Sequence, residues 1–205
     1  MANILLSTRC NRTCPYCFAR DEMGNTRSET FMSWENLIYL ADLHETSGQT
    51  NISLLGGEPT LHPQFVDFVA YLLRRNFNVT VFTNGILSKT RLLQCEHSLT
   101  KYDTDRLSFV CNINDPDQTP APADHGRKIE EFLSLMGPRT LPGFNIYRLD
   151  FRLEFLFDSI NRFGMKRHMR LGITHPVPGS TEGFIRPVDI RTAIERLYGY
   201  RPLFD

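Results

Sequence analysis

Three thiols fall close together in Cys10-Asn11-Arg12-Thr13-Cys14-Pro15-Tyr16-Cys17. Three thiolates leave a metal with an open position. A structural zinc site closes with four ligands, whereas three suit a catalytic metal or an iron–sulfur cubane with one iron free to take a small molecule. Spacing alone also leaves room for zinc completed by a distant histidine. A second chemical candidate is Gly56-Gly57-Glu58-Pro59. Glycines let a backbone approach a ligand closely, exposed carbonyls and the carboxylate can accept bonds from an ammonium group, and proline stiffens the turn. Taken alone, the same turn is also an ordinary structural one.

The elements that must position these residues alternate along the chain. Asn3–Thr8 reads as a short buried strand, and the cysteine loop follows it directly. Ser33 then caps a helix whose stripe runs through Leu37, Ile38, Leu40, Ala41 and Leu43 and ends at Gly48. Asn51–Leu55 leads through the glycine turn into a helix over 63–75, and Val79–Phe82 leads through Thr83-Asn84-Gly85 into a helix over 88–97. Leu107–Cys111 leads through Asn112-Ile113-Asn114-Asp115 to a helix over 124–136. Phe144–Leu149 reads as a fifth strand before a helix over 151–163, and Met169–Thr174 as a sixth. Six βα units predict an α/β fold, a partial (β/α)6 TIM-like barrel with parallel strands. Residues 1–175 would form it, and 176–205 a loop and one helix over 188–198, serving as a lid or the start of an extension.

With Tyr16 before its third cysteine, the Cys-x3-Cys-x-aromatic-Cys loop resembles the signature of the radical S-adenosylmethionine (SAM) superfamily. Gly56-Gly57-Glu58-Pro59, after the second strand, resembles that superfamily's GGE motif. The resemblance implies that Cys10, Cys14 and Cys17 hold a 4Fe-4S cluster whose fourth iron is chelated by the amino and carboxylate groups of SAM. It implies reductive cleavage of SAM to a 5′-deoxyadenosyl radical that takes hydrogen from a substrate. It further implies an external one-electron donor such as a flavodoxin or ferredoxin.

By the same resemblance Asn112 or Asn114 falls near the SAM ribose or carboxylate, and Arg148 at the carboxylate. Leu171-Gly172-Ile173 would cradle adenine, and Asn84 is a candidate for the pocket wall. Each has a plainer reading. The asparagines form turns, Arg148 pairs with Asp150 or Glu154, and strand six is an ordinary core strand.

Composition places the chain among globular domains, with 41% apolar and 22% charged residues. Lys+Arg and Asp+Glu both number 23, so no global field draws it to nucleic acid or an anionic membrane. The local basic run Arg162, Lys166, Arg167, His168 and Arg170 reads as a solvated face at a helix end. No apolar run approaches the roughly 18 residues of a membrane span, and Arg9, Arg12 and Arg20 interrupt any signal core. A reducing, cytoplasmic setting is expected, because clustered cysteines do not resemble a disulfide scaffold.

Cys95 and Cys111 are expected as small buried hydrophobes, His62 as a helix cap and Trp34 as packing. Six βα units leave a barrel side open, which favours a peptide or another macromolecule as substrate. Two competing readings are a zinc- or iron–sulfur-binding interaction module without catalysis, and a truncated or degenerate domain of the same superfamily.

Overall fold

The computed structural model describes residues 2–17, 19, 30–115, 122–174 and 184–203. Its strands are β1 (Ala2–Ser7), β2 (Asn51–Gly56), β3 (Asn78–Thr83), β4 (Leu107–Asn112), β5 (Thr140–Ile146) and β6 (Arg170–Ile173). They form one parallel sheet in chain order, with β1 and β6 at its ends, so the sheet is not closed. A helix follows each strand: α1 (Trp34–Thr46), α2 (Phe65–Arg74), α3 (Lys89–Leu99), α4 (Ala123–Met136), α5 (Glu154–Phe163) and α6 (Ile190–Gly199). The expected α/β partial barrel of parallel strands is the observed architecture.

Register divides the strands into two faces. Ile4, Leu54, Val81 and Phe109 lie in one row, and with Ile52, Val79, Leu107, Phe144 and Ile146 they are buried in the core. Residues of alternate parity line the inner face, in rows such as Leu5–Leu55, Phe82–Val110 and Asn112–Gly143–Arg170. The Arg170 guanidinium of β6 stands over the Phe82 ring of β3, 5.4 Å from its centre. Three strand spacings, roughly 14 Å on a flat sheet, separate these strands, so the contact reports a strongly curled one.

Local chemistry starts and stops the helices as expected. Ser33 accepts from Asn36 N–H at 3.2 Å to cap α1, and Gly48 takes the left-handed conformation beyond its end (φ 69°). His62 is not the cap of α2, whose N-cap is Gln64; it ends the 3-10 turn Pro59–Leu61, its Nδ1 accepting from Gln64 N–H at 3.0 Å while its Nε2 donates to Met32 O at 2.8 Å. Trp34 packs edge-on to Phe68 and Tyr71. Cys95 and Cys111 are buried, and burial pushes both thiols up to about 12.

β5 departs from its expected place, beginning at Thr140 rather than Phe144 and ending at Ile146 rather than Leu149. Pro142-Gly143 reads as a turn in sequence. Yet Pro142 pairs with Cys111 on β4 and lies just before the stretch paired to β6, which begins at Gly143, so its missing N–H breaks no ladder there. α5 correspondingly starts at Glu154, with Phe151 and Leu153 buried in the loop before it.

Beyond β6, residues 175–183 lie outside the described set. α6 docks beside the start of α5, where Arg196 Nε donates to Phe151 O and the Tyr200 hydroxyl to Glu154.

Candidate active site

The cysteine loop leaves β1 at the carboxyl end of the sheet and is tied to the ends of three neighbouring strands. Arg12 Nη1 donates to Asn112 O at 2.7 Å, Asn11 Nδ2 to Ile86 O at 2.8 Å, and Asn84 Nδ2 to Asn11 Oδ1 at 2.8 Å. The Tyr16 hydroxyl donates to Asn114 Oδ1, and the Tyr16 ring lies tilted at 45° against Tyr147, centroids 5.3 Å apart, which meets Phe184 in turn. Cys17 N–H donates to Cys14 O at 3.2 Å, closing a turn that brings the last two thiols round. Burial pushes the Cys10 thiol up to about 11, opposed by Arg12 N–H. As a free group it is a neutral thiol at pH 7, and a bound metal ion would be what deprotonates it.

The glycine turn is built against this loop. Gly57 N–H donates to Ser7 O and Glu58 N–H to Arg9 O, both at 2.8 Å. Gly56 has φ +151° and a Cβ on it would lie 2.4 Å from Ser7 O; one on Gly57 would lie 2.4 Å from Arg9 O. The close approach seen at these glycines is to the chain's own cysteine loop.

Glu58 is buried, with Oε1 accepting from Thr60 N–H (3.1 Å), Thr60 Oγ1 (2.7 Å) and Thr83 Oγ1 (2.7 Å), and Oε2 from Asn84 N–H (2.7 Å). Burial pushes this carboxyl up against the pull of its donors. A carboxylate has about four acceptor sites, so the side chain chiefly ties the end of β2 to the end of β3. Pro59 is buried and opens the short 3-10 turn Pro59–Leu61.

One cavity of about 300 Å³ collects most of the expected site residues: Cys10, Cys14, Cys17 and Tyr16 on one side, and Gly56, Gly57, Glu58, Asn84 and Asn112 on the other. Asn112 Oδ1 is buried there with no hydrogen-bond partner. Asn114 instead lines a neighbouring cavity of about 350 Å³ between α4 and α5, where its Nδ2 is buried without a partner. Pro59, Arg148, Leu171 and Gly172 line neither.

Arg148 lies past the end of β5, half-buried, and its guanidinium is held by Asp150 at 2.9 and 3.0 Å. The plainer reading of this residue is the observed one. On β6, Leu171 and Ile173 turn toward the helices and pack on the core, so Gly172 alone of that triplet faces inward.

Residues missed in the sequence also line the cavity: Arg12, Leu55, Phe82, Asn145, Arg170 and Thr174. Parity along β6 was the available signal for Arg170 and Thr174. The basic run divides in the structure, since Arg162 pairs with Glu130 and Lys166 donates to Thr104 O while Arg170 enters the cavity. Among the described residues no three His, Cys, Asp or Glu side chains are grouped to hold a single metal ion. No helix among them is long and apolar enough to cross a membrane.

An open parallel βα sheet with a three-thiol loop after β1 and a glycine turn after β2 defines a class. Residues 4–119 match the Radical SAM superfamily, and the chain belongs to that superfamily.

Among curated proteins, an S-adenosylmethionine-dependent nucleotide dehydratase of Selenomonas ruminantium is 34% identical over 113 residues, 55% of this chain and 39% of that protein. Molybdenum cofactor biosynthesis protein 1 of Homo sapiens is 38% identical over 87 residues, 40% of this chain and 13% of that one. The chain thus spans well under half the length of these relatives. In fold it resembles Streptococcus suis SuiB, solved with S-adenosylmethionine and also with its precursor peptide SuiA. Each SuiB structure has a TM-score of 0.70 at 16% identity, covering 97% of this chain and 47% or 45% of SuiB.

Proposed function

We propose that this chain cleaves SAM reductively at a 4Fe-4S cluster held by Cys10, Cys14 and Cys17. The observation that carries this reading is the convergence of three thiols from one loop and the Gly56–Glu58 turn on one cavity. The donor set fits a cubane, because three thiolates leave one iron for the amino and carboxylate groups of SAM. The buried, partnerless Asn112 Oδ1 fits a ligand donor in the same cavity. When bound, the cluster supplies one electron to the SAM sulfonium and so releases methionine and a 5′-deoxyadenosyl radical.

The chain's own residues bind and orient. Gly56 and Gly57 offer backbone to the methionine end, Asn84 and Asn112 offer amides, and the inward Gly172 leaves room on β6 for the adenine end. Tyr16 holds the loop to Asn114 and Tyr147, and Glu58 fixes the glycine turn on β3. Arg148, its guanidinium paired with Asp150, has no part in this SAM site. The electron arrives from a flavodoxin- or ferredoxin-type donor.

The substrate class follows from the open edge between β1 and β6, which admits a large molecule presenting one residue; a peptide substrate accords with the peptide-bound SuiB fold. Anaerobic reconstitution with iron and sulfide, then SAM and dithionite, tests the reading by mass spectrometry. A brown protein that forms 5′-deoxyadenosine supports it. A colourless protein holding one zinc per chain, or a fully loaded cluster that leaves SAM intact, overturns it.

A further inference from the structure

Arg170 is the only charged residue in any of the six strands. Its parity points it to the inner face, in the row Asn112–Gly143–Arg170 that crosses β4, β5 and β6. Gly143 puts no side chain of its own into the middle of that row; the space its Cβ would take is held by Asn112 Oδ1 at 2.6 Å and Val110 Cγ1 at 3.0 Å. The arginine side chain can therefore lie across β5 and reach the Phe82 ring, where its guanidinium rests 5.4 Å from the ring centre.

An aromatic face holds a guanidinium in place while leaving its N–H edge free to donate. No carboxylate among the described residues forms an ion pair with it. Seven other described arginines form such pairs, for example Arg75 with Asp42, Arg127 with Glu131, and Arg191 with Glu195. Arg170 shares its cavity with the three thiols and with Arg12 and Glu58, both of which have internal partners: Arg12 Nη1 donates to Asn112 O, and Glu58 accepts from four internal donors.

We infer that Arg170 is a substrate-recognition residue that receives an anionic group, a carboxylate or a phosphate, at the exposed side of the same cavity. The inference rests on the proposed SAM chemistry for its word "substrate" and names the chemical class that chemistry would act on. A planar guanidinium with its edge free matches both oxyanions in fork geometry. The apolar neighbours Leu55 and Phe82 and the amide of Asn145 supply the rest of the contact surface.

The test is site-resolved labelling of the reconstituted protein with phenylglyoxal, read by peptide mass spectrometry. Inorganic phosphate, acetate and chloride, at equal ionic strength, are the probes, and Arg127 and Arg191 are internal references. Phosphate or acetate should slow labelling of Arg170 by roughly tenfold at saturation, the scale of one charge-assisted bond, and leave the references unchanged. Stronger protection by phosphate identifies a phosphoryl group, and protection by acetate at least as strong identifies a carboxylate.

Protection no greater than that by chloride overturns the inference. So does a combined result in which SAM alone shields Arg170 and Arg170→Gln weakens SAM binding about tenfold, for then the anion is the cofactor's own carboxylate. Because the anion probes need no SAM turnover, a protein that fails to cleave SAM would sink the proposed reaction while leaving the Arg170 result readable.

Discussion

Gly57 lies so close to the cysteine loop that a Cβ on it would stand 2.4 Å from Arg9 O and 3.0 Å from Cys10 Cβ. Two backbone bonds lock this approach, from Gly57 N–H to Ser7 O and from Glu58 N–H to Arg9 O. Gly57→Ala must push the loop away and disturb Cys10. The expected cost is about 1–3 kcal/mol of stability, together with reduced iron uptake, both measurable on the purified variant by denaturant titration and iron analysis. Normal iron loading at wild-type stability would show that the loop does not depend on this contact.

This glycine also marks the boundary of what the sequence reveals. The strand–loop–helix rhythm, the cysteine loop and the turn after β2 are legible because each is local: a period, a spacing, a turn composition. Why Gly57 must be glycine is a contact between the loops that follow β1 and β2, which no local pattern states. β5 was displaced for a related reason. Pro142-Gly143 has the composition of a turn, and only the late start of β6 explains how proline sits in that strand. That displacement carried Arg148 out of the strand. Arg170, read with its basic neighbours as a helix-end face, is inward because β6 pairs it with Gly143.

Tyr16 connects the cluster loop to the end of β4 through its hydroxyl on Asn114 Oδ1. Tyr16→Phe removes that donor and leaves the buried Asn114 amide without a partner at its oxygen as well as at its nitrogen. A loss of about 1–3 kcal/mol is expected, with the ring contact on Tyr147 kept. Equilibrium unfolding in urea gives the number, and an unchanged midpoint would contradict the tether.

Glu58→Gln tests the four-donor carboxylate. An amide can satisfy the donors on one oxygen, but its NH2 then faces either Asn84 N–H or the Thr60 and Thr83 donors. The expected loss is about 2–3 kcal/mol, reflecting a charged acceptor replaced by an opposed donor. Glu58→Asp, too short to span both partners, should fare no better. Thermal unfolding of both variants at wild-type stability would refute the bridging role.

His62 gives the fold a pH dependence of known sign. Burial lowers its pKa, Arg91 acts in the same direction, and the bond to Met32 O opposes them; the rings of Phe31 and Phe68 complete its surroundings. The unfolded histidine takes a proton near about pH 6.5, whereas the folded one resists. Its share of stability is therefore present above that pH and lost as pH falls toward the folded value. Unfolding midpoints at neutral and mildly acidic pH should differ more in the wild type than in His62→Gln. Equal differences would remove His62 as the cause.

The central claim is that three thiols of one loop hold the cluster on which SAM cleavage depends, and iron and acid-labile sulfide analysis of anaerobically reconstituted protein tests it most directly. The wild type should carry about four of each per chain, and Ala at Cys10, Cys14 or Cys17 singly should strip most of both, while Cys95→Ala keeps them. Cys14→Ala with full iron and sulfide content would contradict the account.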